Sequence, residues 1–432
     1  MEGLGIPTAP MVTARFADYI NMTNQAHGIP LRFSFPPHPV AFLPREVISG
    51  YIDGDDPVTG KPLMQELVGA LTKPLTEQEK KPVAVKKPKH PRLLPPDTEA
   101  NLNRLFLENA WTDGLPIVLP TEERVAEMLT GTDHSPDEVV GRMSVTTHEE
   151  KLEYTVEKVA VIAVMAGARP EHFPVILALA ESQNPSMPSS TTSFVSMVVV
   201  NGPIRNEIGM NCGAGALSPF NYANAVIGRA WTLMSINFGD AKIAENFTAS
   251  SGHTANYNNM CCGENEEFSI WEPFHVQKGF KANENTVSLF RGWSILGFND
   301  GHAKQMAEVM SAFNFGGATF IIDPLAVKSL KNEGFNNREE LSAYLAKEVK
   351  RKPGPGGEMS QMPLITNFVV VGGEWNPFWV TTNFHYSMTI SIDKWIPKAG
   401  IRHDAHPLRM PAPTICKDGL CGLPGNILTE TE

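Results

Sequence analysis

The chain has 432 residues, 42% hydrophobic and 19% charged, with a formal net charge of −11. These values suit two or three domains, or one large α/β domain with extensions, and exclude a chain disordered overall. The acidic balance argues against nucleic acid and against an anionic membrane surface as partners.

Residues 1–75 read as a Pro-rich N-terminal arm, with turn chemistry from Gly50 to Pro62 and helical spacing over 63–72. Residues 76–97 are rich in Lys and Pro. Proline at that frequency holds neither a helix nor a central strand, so an extended linker is expected. An α/β body is expected over 98–400, and a tail over 401–432. In the body, a helix is predicted over 99–110 and another from Thr121, a cap followed by acids. Residues 154–166 form a third, closed by Gly167, and Pro170 opens a fourth over 171–182. Met197–Val200 is expected as a buried strand, stopped by Asn201-Gly202-Pro203. Ser218-Pro219 reads as the cap and first turn of a helix over 220–237. A strand over 286–290, a helix over 302–313 and a strand over 318–322 follow. Helices over 325–332 and 338–349, a loop at Gly354–Gly357 and a strand over 368–371 complete the body. Continuous apolar strands separated by helices predict an α/β fold with a mostly parallel sheet covered by helices.

Five cysteines in this length are not a disulfide framework. Met1 to Pro7 show neither a basic n-region nor an apolar h-region, and no apolar run reaches membrane-spanning length. A cytoplasmic location is the expectation.

The densest chemistry lies between Ser251 and His275. Adjacent cysteines seldom bridge each other, and Cys261 and Cys262 can be small buried hydrophobes. Their neighbours Asn256, Asn258, Asn259, Gly263 and Glu264 instead suggest a polar loop with a functional thiol. Cys262 is favoured because it precedes Gly263. Glu264, Glu266 and Glu267 form either a solvated acidic turn or a general acid or base. In an extended segment Glu264 and Glu266 share one face. His253 and His275 flank the cluster as proton carriers or ligands. No cofactor is named by the sequence. A metal held by His253, Cys262, Glu264 and His275 is the alternative, although no standard metal signature is present.

Asn211-Cys212-Gly213-Ala214-Gly215-Ala216 is a small-residue loop ahead of the predicted helix at Pro219. Such a loop either packs tightly under a sheet or offers amides to an anion or oxyanion. It is neither a Rossmann fingerprint nor a Walker A loop. With Asn221, Asn224 and Arg229 on the following helix, Asn211 and Cys212 are candidate substrate-binding residues. In the tail, Cys416 and Cys421 read as a redox pair or as idle thiols, with His403, Asp404 and His406 nearby.

Several segments carry a resemblance. They are Trp111-Thr112-Asp113-Gly114-Leu115-Pro116, Pro120–Val125, Thr155–Lys158, Val164–Glu171, Asn201-Gly202-Pro203, Glu264–Glu267 and Trp271-Glu272-Pro273. Over roughly residues 105–320 the chain resembles bacterial proteins associated with UGSC-type thiol or selenol proteins, as fusions or neighbours. The UGSC sequence itself is absent. The resemblance implies a two-component enzyme with thiol chemistry, and Glu264–Pro273 as a site.

The expected function is an enzyme with a Cys262, Glu264/Glu266 and His253/His275 site. It would reduce or cleave a carbon–heteroatom bond of a small organic substrate. A metal-dependent hydrolase or lyase is the second reading. A non-catalytic subunit that scaffolds a partner is the third. Homo- or hetero-oligomerisation through the N-terminal arm is expected.

Overall fold

In the computed structural model, the described residues are 6–27, 31–41, 43–77, 79, 91–146, 151–313, 317–351 and 364–403. Most of the expected linker, the Gly354–Gly357 loop, Asp404, His406, Cys416 and Cys421 lie outside them. The chain divides into two compact units, Met1–Pro96 with Thr146–Glu150, and Asp97–Val145 with Lys151–Glu432.

The first unit is not one extended arm. It carries helices α1 (Ala17–His27), α2 (Arg45–Gly50) and α3 (Leu63–Thr72), the last at the expected place. Asp56 pins it from a fully buried position. Its carboxylate accepts from Phe35 N at 2.7 Å, Val58 N at 2.8 Å and Thr59 N at 3.1 Å. Arg32 ties the end of this unit down through Glu79 and the Lys73 carbonyl.

The second unit begins with α4 (Glu99–Glu108) and α5 (Glu122–Leu129). Thr98 and Thr121 cap them by accepting from Asn101 N and Arg124 N. Hairpin strands β1 (Val139–Met143) and β2 (Leu152–Thr155) lead to α6 (Val156–Ala166) and α7 (Phe173–Glu181). Then come β3 (Val195–Asn201), α8 (Ile204–Glu207), α9 (Tyr222–Asn237), β4 (Cys261–Gly263) and α10 (Phe274–Gln277). The order continues with β5 (Thr286–Gly292), β6 (Ile295–Phe298), α11 (Ala303–Met310), β7 (Gly317–Ile322), α12 (Pro324–Asn332) and α13 (Arg338–Glu348). Strands β8 (Ile365–Val370), β9 (Trp379–Thr382) and β10 (His385–Ser391) end it. Helix α9 starts at Tyr222, with Asn221 as its cap, so Ser218-Pro219 lies in the preceding turn.

Two four-stranded sheets result, ordered β10-β5-β3-β4 and β6-β9-β7-β8. Only β3–β4 and β7–β8 are parallel; the other pairings are antiparallel. The mostly parallel sheet is therefore corrected to two mixed sheets. Continuous apolar runs report burial on both faces, and here helices on one side and a second, stacked sheet on the other supply it with mostly antiparallel pairings. Strand parity shows the layering. Val198 and Val200 pack with α6, α7 and α9, whereas Val195, Met197 and Val199 pack with Phe290, Ile321 and Val369. In the second sheet, Phe320, Ile322 and Val370 pack with α11, α12 and α13. The order of layers is helices, sheet, sheet, helices. Among the described residues no helix is long and apolar enough to cross a membrane.

Helix α9 touches the start of β4 through Gly228. A Cβ there would lie 1.8 Å from Asn258 O and 3.0 Å from Cys261 Cβ. Gly228→Ala is expected to destabilise the protein by about 1–3 kcal/mol, as overpacked cores do. The readout is a lower denaturant midpoint at unchanged slope; an unchanged midpoint would show that α9 can slide freely.

His172 offers a pH test. It is 2% exposed and accepts from Arg169 N at 3.1 Å. Burial, with the Arg169 charge second, pushes its pKa down to about 3. The folded state keeps this ring neutral while the unfolded chain protonates it below its ordinary 6.5. Its contribution is thus complete above pH 6.5 and declines as pH falls towards 3. Between pH 6.5 and 5, His172→Gln should flatten the loss of stability seen in the parent; identical slopes would rule His172 out as the cause.

Candidate functional site

The residues between Met260 and Glu267 form a short strand and its exit, not a polar loop. Asn259 and Met260 enter it with φ of 51° and 39°, a left-handed pair unusual for a bulky methionine. Asn259 Nδ2 donates to Gly228 O at 2.9 Å and Thr232 Oγ1 at 2.8 Å, so α9 fixes this entry. β4 then runs parallel to β3, with Cys262 opposite Val199. Alternation sends the two thiols to opposite faces. Cys262 joins the cluster between the sheets, and Cys261 joins the cluster under α9.

Glu264 follows at the carboxyl end of β4, with no exposed surface. One carboxylate oxygen accepts from Arg338 Nη2 at 2.6 Å and Val370 N at 3.3 Å. The other accepts from Asn201 Nδ2 at 2.6 Å and Phe274 N at 2.7 Å. Burial pulls the Arg338 pKa down, and Glu264 opposes that pull. Arg338 also lies 5.6 Å from the Trp271 ring centre.

Glu266 and Glu264 do share a face, and both accept from Asn201 Nδ2. Glu266 also accepts from Gly202 N at 2.8 Å and pairs with Arg205 at 3.1 Å. Arg205, 2% exposed, pairs with Glu267 as well and donates to the Glu264 carbonyl at 2.6 Å. Burial opposes the Arg205 charge, and the contacts with Glu267, Cys212 and Glu266 outweigh it, raising the pKa. For Glu267, burial is overcome by hydrogen bonds from Arg205 and Asn206, which hold the carboxyl at about 2. The acidic run is thus divided between two arginines rather than left as a solvated turn.

Cys212 Sγ sits 3.5 Å from Arg205 Nη1, and a Cβ on Gly263 would lie 2.5 Å from that sulfur. Only glycine lets β4 approach so closely. Burial pushes the Cys212 thiol up despite Arg205. Burial also raises Cys262 well above its usual range, with the charges of Cys261, Cys212 and Glu264 adding to it. Cys261 is raised strongly by burial too, against a backbone hydrogen bond from Gly228.

A cleft of about 490 Å³ opens beside β4. Leu217, Ser218, Asn221 and Asn224 line one wall; Thr254, Asn258, Met260 and Cys261 line the other. Among the described residues, none of those that line it carries a charged side chain. An amide network shapes the first wall. Asn211 N donates to Asn224 Oδ1 at 3.0 Å, Asn211 Nδ2 to Asn221 Oδ1 at 2.8 Å, and Asn224 Nδ2 to Ala216 O at 3.1 Å.

The structure therefore brings some expected residues together and separates others. Asn221 and Asn224 reach the cleft, and Asn211 supports them. Cys212 turns to Arg205 instead. Arg229 is held by Asp113 at 2.8 Å and by the Pro116 carbonyl, away from a substrate-binding role in the cleft. Cys262 has no exposed surface, and the thiol that lines the cleft is Cys261. His253 caps the turn at Thr254 by accepting from Ala255 N, and burial lowers its pKa. His275 is fully buried and its Nε2 bonds to the Lys281 carbonyl. His253, Cys262, Glu264 and His275 do not assemble as a metal set: among the described residues no group of three or more His, Cys, Asp or Glu can hold an ion. The residues that sequence reasoning missed are Arg205, Arg338 and Asn201. The only signal was the Asn201-Gly202-Pro203 stop just ahead of Arg205. Comparison with protein-family models, curated proteins and solved structures finds no match.

Removing one partner of a buried ion pair strands the other charge. Arg338→Met should cost about 3–5 kcal/mol. Glu267→Gln, at a half-exposed pair, should cost about 1 kcal/mol or less. Urea unfolding of both variants makes the comparison. Equal midpoints would mean that the Glu264–Arg338 pair does not hold the sheets together.

Proposed function

We propose that this protein is a cytoplasmic enzyme acting on a small, uncharged, polar organic molecule bound in the cleft between the start of α9 and the Thr254–Cys261 segment. One observation carries this reading. The cleft joins the Asn221/Asn224 wall to the Cys261 thiol, two clusters far apart in sequence. Amide and hydroxyl groups supply orientation there, and an uncharged lining favours an uncharged ligand. Left-handed backbone occurs in one lining residue, Met260 (φ 39°), and in Phe220 (φ 76°) and Asn259 (φ 51°), each next in sequence to lining residues. Backbone held so is retained mainly where the surroundings enforce it, often at functional sites. The three described cysteines are unbridged, as a reducing compartment requires.

The proposed reaction is cleavage of a carbon–heteroatom bond, or its reduction with two electrons delivered by an external donor, with Cys261 nearest the bound molecule. Burial keeps this thiol protonated. Among the described residues that line the cleft none carries a charged base, so in this reading the ligand or a second component would supply the proton acceptor that makes the sulfur a nucleophile.

A thermal-shift screen with small neutral amides and alcohols, carboxylates and amines tests the binding claim. Neutral compounds should raise the melting temperature, and Ala225→Trp, which fills the cleft, should abolish the shift. A response confined to charged compounds, or one unaltered in Ala225→Trp, would exclude the cleft as the binding site for an uncharged molecule.

A further inference from the structure

Arg338 opens α13 and is 3% exposed, yet its guanidinium is only partly bonded. Nη2 donates to Glu264, while Nε and Nη1 have no partner among the described residues. Nε1 of Trp271, a residue 4% exposed, is a third buried donor without one. The two groups are neighbours, with the guanidinium 5.6 Å from the Trp271 ring centre. Buried donors left unpaired are costly, and native structures keep few of them without an ion or a water to complete them.

Lys278 brings a second cation to the same place. It follows Gln277, whose Nε2 donates to Glu339 Oε1 at 3.4 Å, and Glu339 follows Arg338. The half-buried ammonium lies 4.4 Å from the Tyr386 ring centre and 4.8 Å from that of Phe274. Among the described residues it has no carboxylate or hydrogen-bond partner. Burial lowers its pKa, and the Arg338 charge lowers it further, so the two cations act on one another.

We propose that Arg338, Trp271 and Lys278 bind a compact monovalent anion, a halide or the carboxylate of a small molecule, where the end of α10 meets the start of α13. The unpaired groups are all donors. The free N–H hydrogens of Arg338 and Trp271 outnumber the two lone pairs of a water, and an anion accepts from more of them. The near-complete cover over Arg338 and Trp271 favours few atoms. Exposed Glu272 and Glu339 lie near enough for their charges to act on Arg338, and they disfavour a second negative charge on the ligand. The site is separate from the cleft, which opens at the other end of β4.

Urea unfolding of the full chain tests this, because urea adds no ions. Chloride, formate and phosphate are titrated as sodium salts, with sodium gluconate holding the ionic strength constant. The parent's midpoint should rise with chloride or formate as a single site fills, and less with phosphate. Lys278→Met keeps an apolar stem over both rings and removes the charge. It should raise the anion concentration needed at least about tenfold. Trp271→Phe removes the indole N–H and should raise it about fivefold. Lys278→Gln serves if either variant is unfolded by circular dichroism. A loss in any folded variant places the anion here. A parent indifferent to both monovalent anions would overturn the proposal, leaving these donors to water alone. Unchanged response in every folded variant, or a preference for phosphate, would overturn it as well.

Discussion

The second unit depends on one carboxylate that no water reaches. Glu264 ends β4, and its four donors come from β3, the start of α10, β8 and α13. These elements belong to both sheets and to the outer helical layer. A buried carboxylate is costly unless each oxygen is satisfied and a cation faces it. All four donors must arrive together for that cost to be offset. The register of β4 against β3 and the approach of β8 are thereby coupled. Neighbouring bonds reinforce the join: Asn265 N donates to Val370 O at 2.7 Å, and its side chain donates to Gly372 O at 2.8 Å.

With the carboxyl end of β4 fixed, the position of its amino end follows. Cys261 must face α9 because Glu264, three residues on, faces the other way. The cleft inherits its floor from this parity, and its opposite wall from the amide network ahead of α9. Gly228 and Gly263 permit the close approach on either side of the strand. The candidate ligand site is thus built on rigid elements rather than on a mobile loop, as positioning of a small molecule needs.

Much of the helical framework was legible in the sequence. Caps at Thr121 and Gly167 and apolar spacing over α3, α6, α12 and α13 are local signals, and local hydrogen bonds decide them. Strand direction was not legible. The Val-rich β3 is buried by helices on one side and a second sheet on the other, and its sequence looks the same with parallel or antiparallel neighbours. β4 was hidden because three residues between asparagines and glutamates carry no period. Choosing Cys262 over Cys261 then followed from reading a loop where alternation rules. The acidic run misled for a different reason. Its counter-charges, Arg205 and Arg338, lie some sixty and seventy residues away in the chain. No spacing rule connects them.

Burial raises the pKa of all three described thiols, and the same charges add to it at Cys262. Arg205 is the cation nearest a sulfur, yet it is shared among Glu266, Glu267 and the Glu264 carbonyl before Cys212. Its field is largely spent on carboxylates. Cys262 lies between sheets beside the Glu264 charge, which disfavours a thiolate further. Cys261 escapes that charge by facing the opposite side of the strand, and it alone of the three lines the cleft. Burial is then the main barrier to its ionisation, and only a cation or a hydrogen-bond donor brought beside the sulfur would offset it. A buried thiol held protonated is protected from oxidants, because oxidation proceeds through the thiolate.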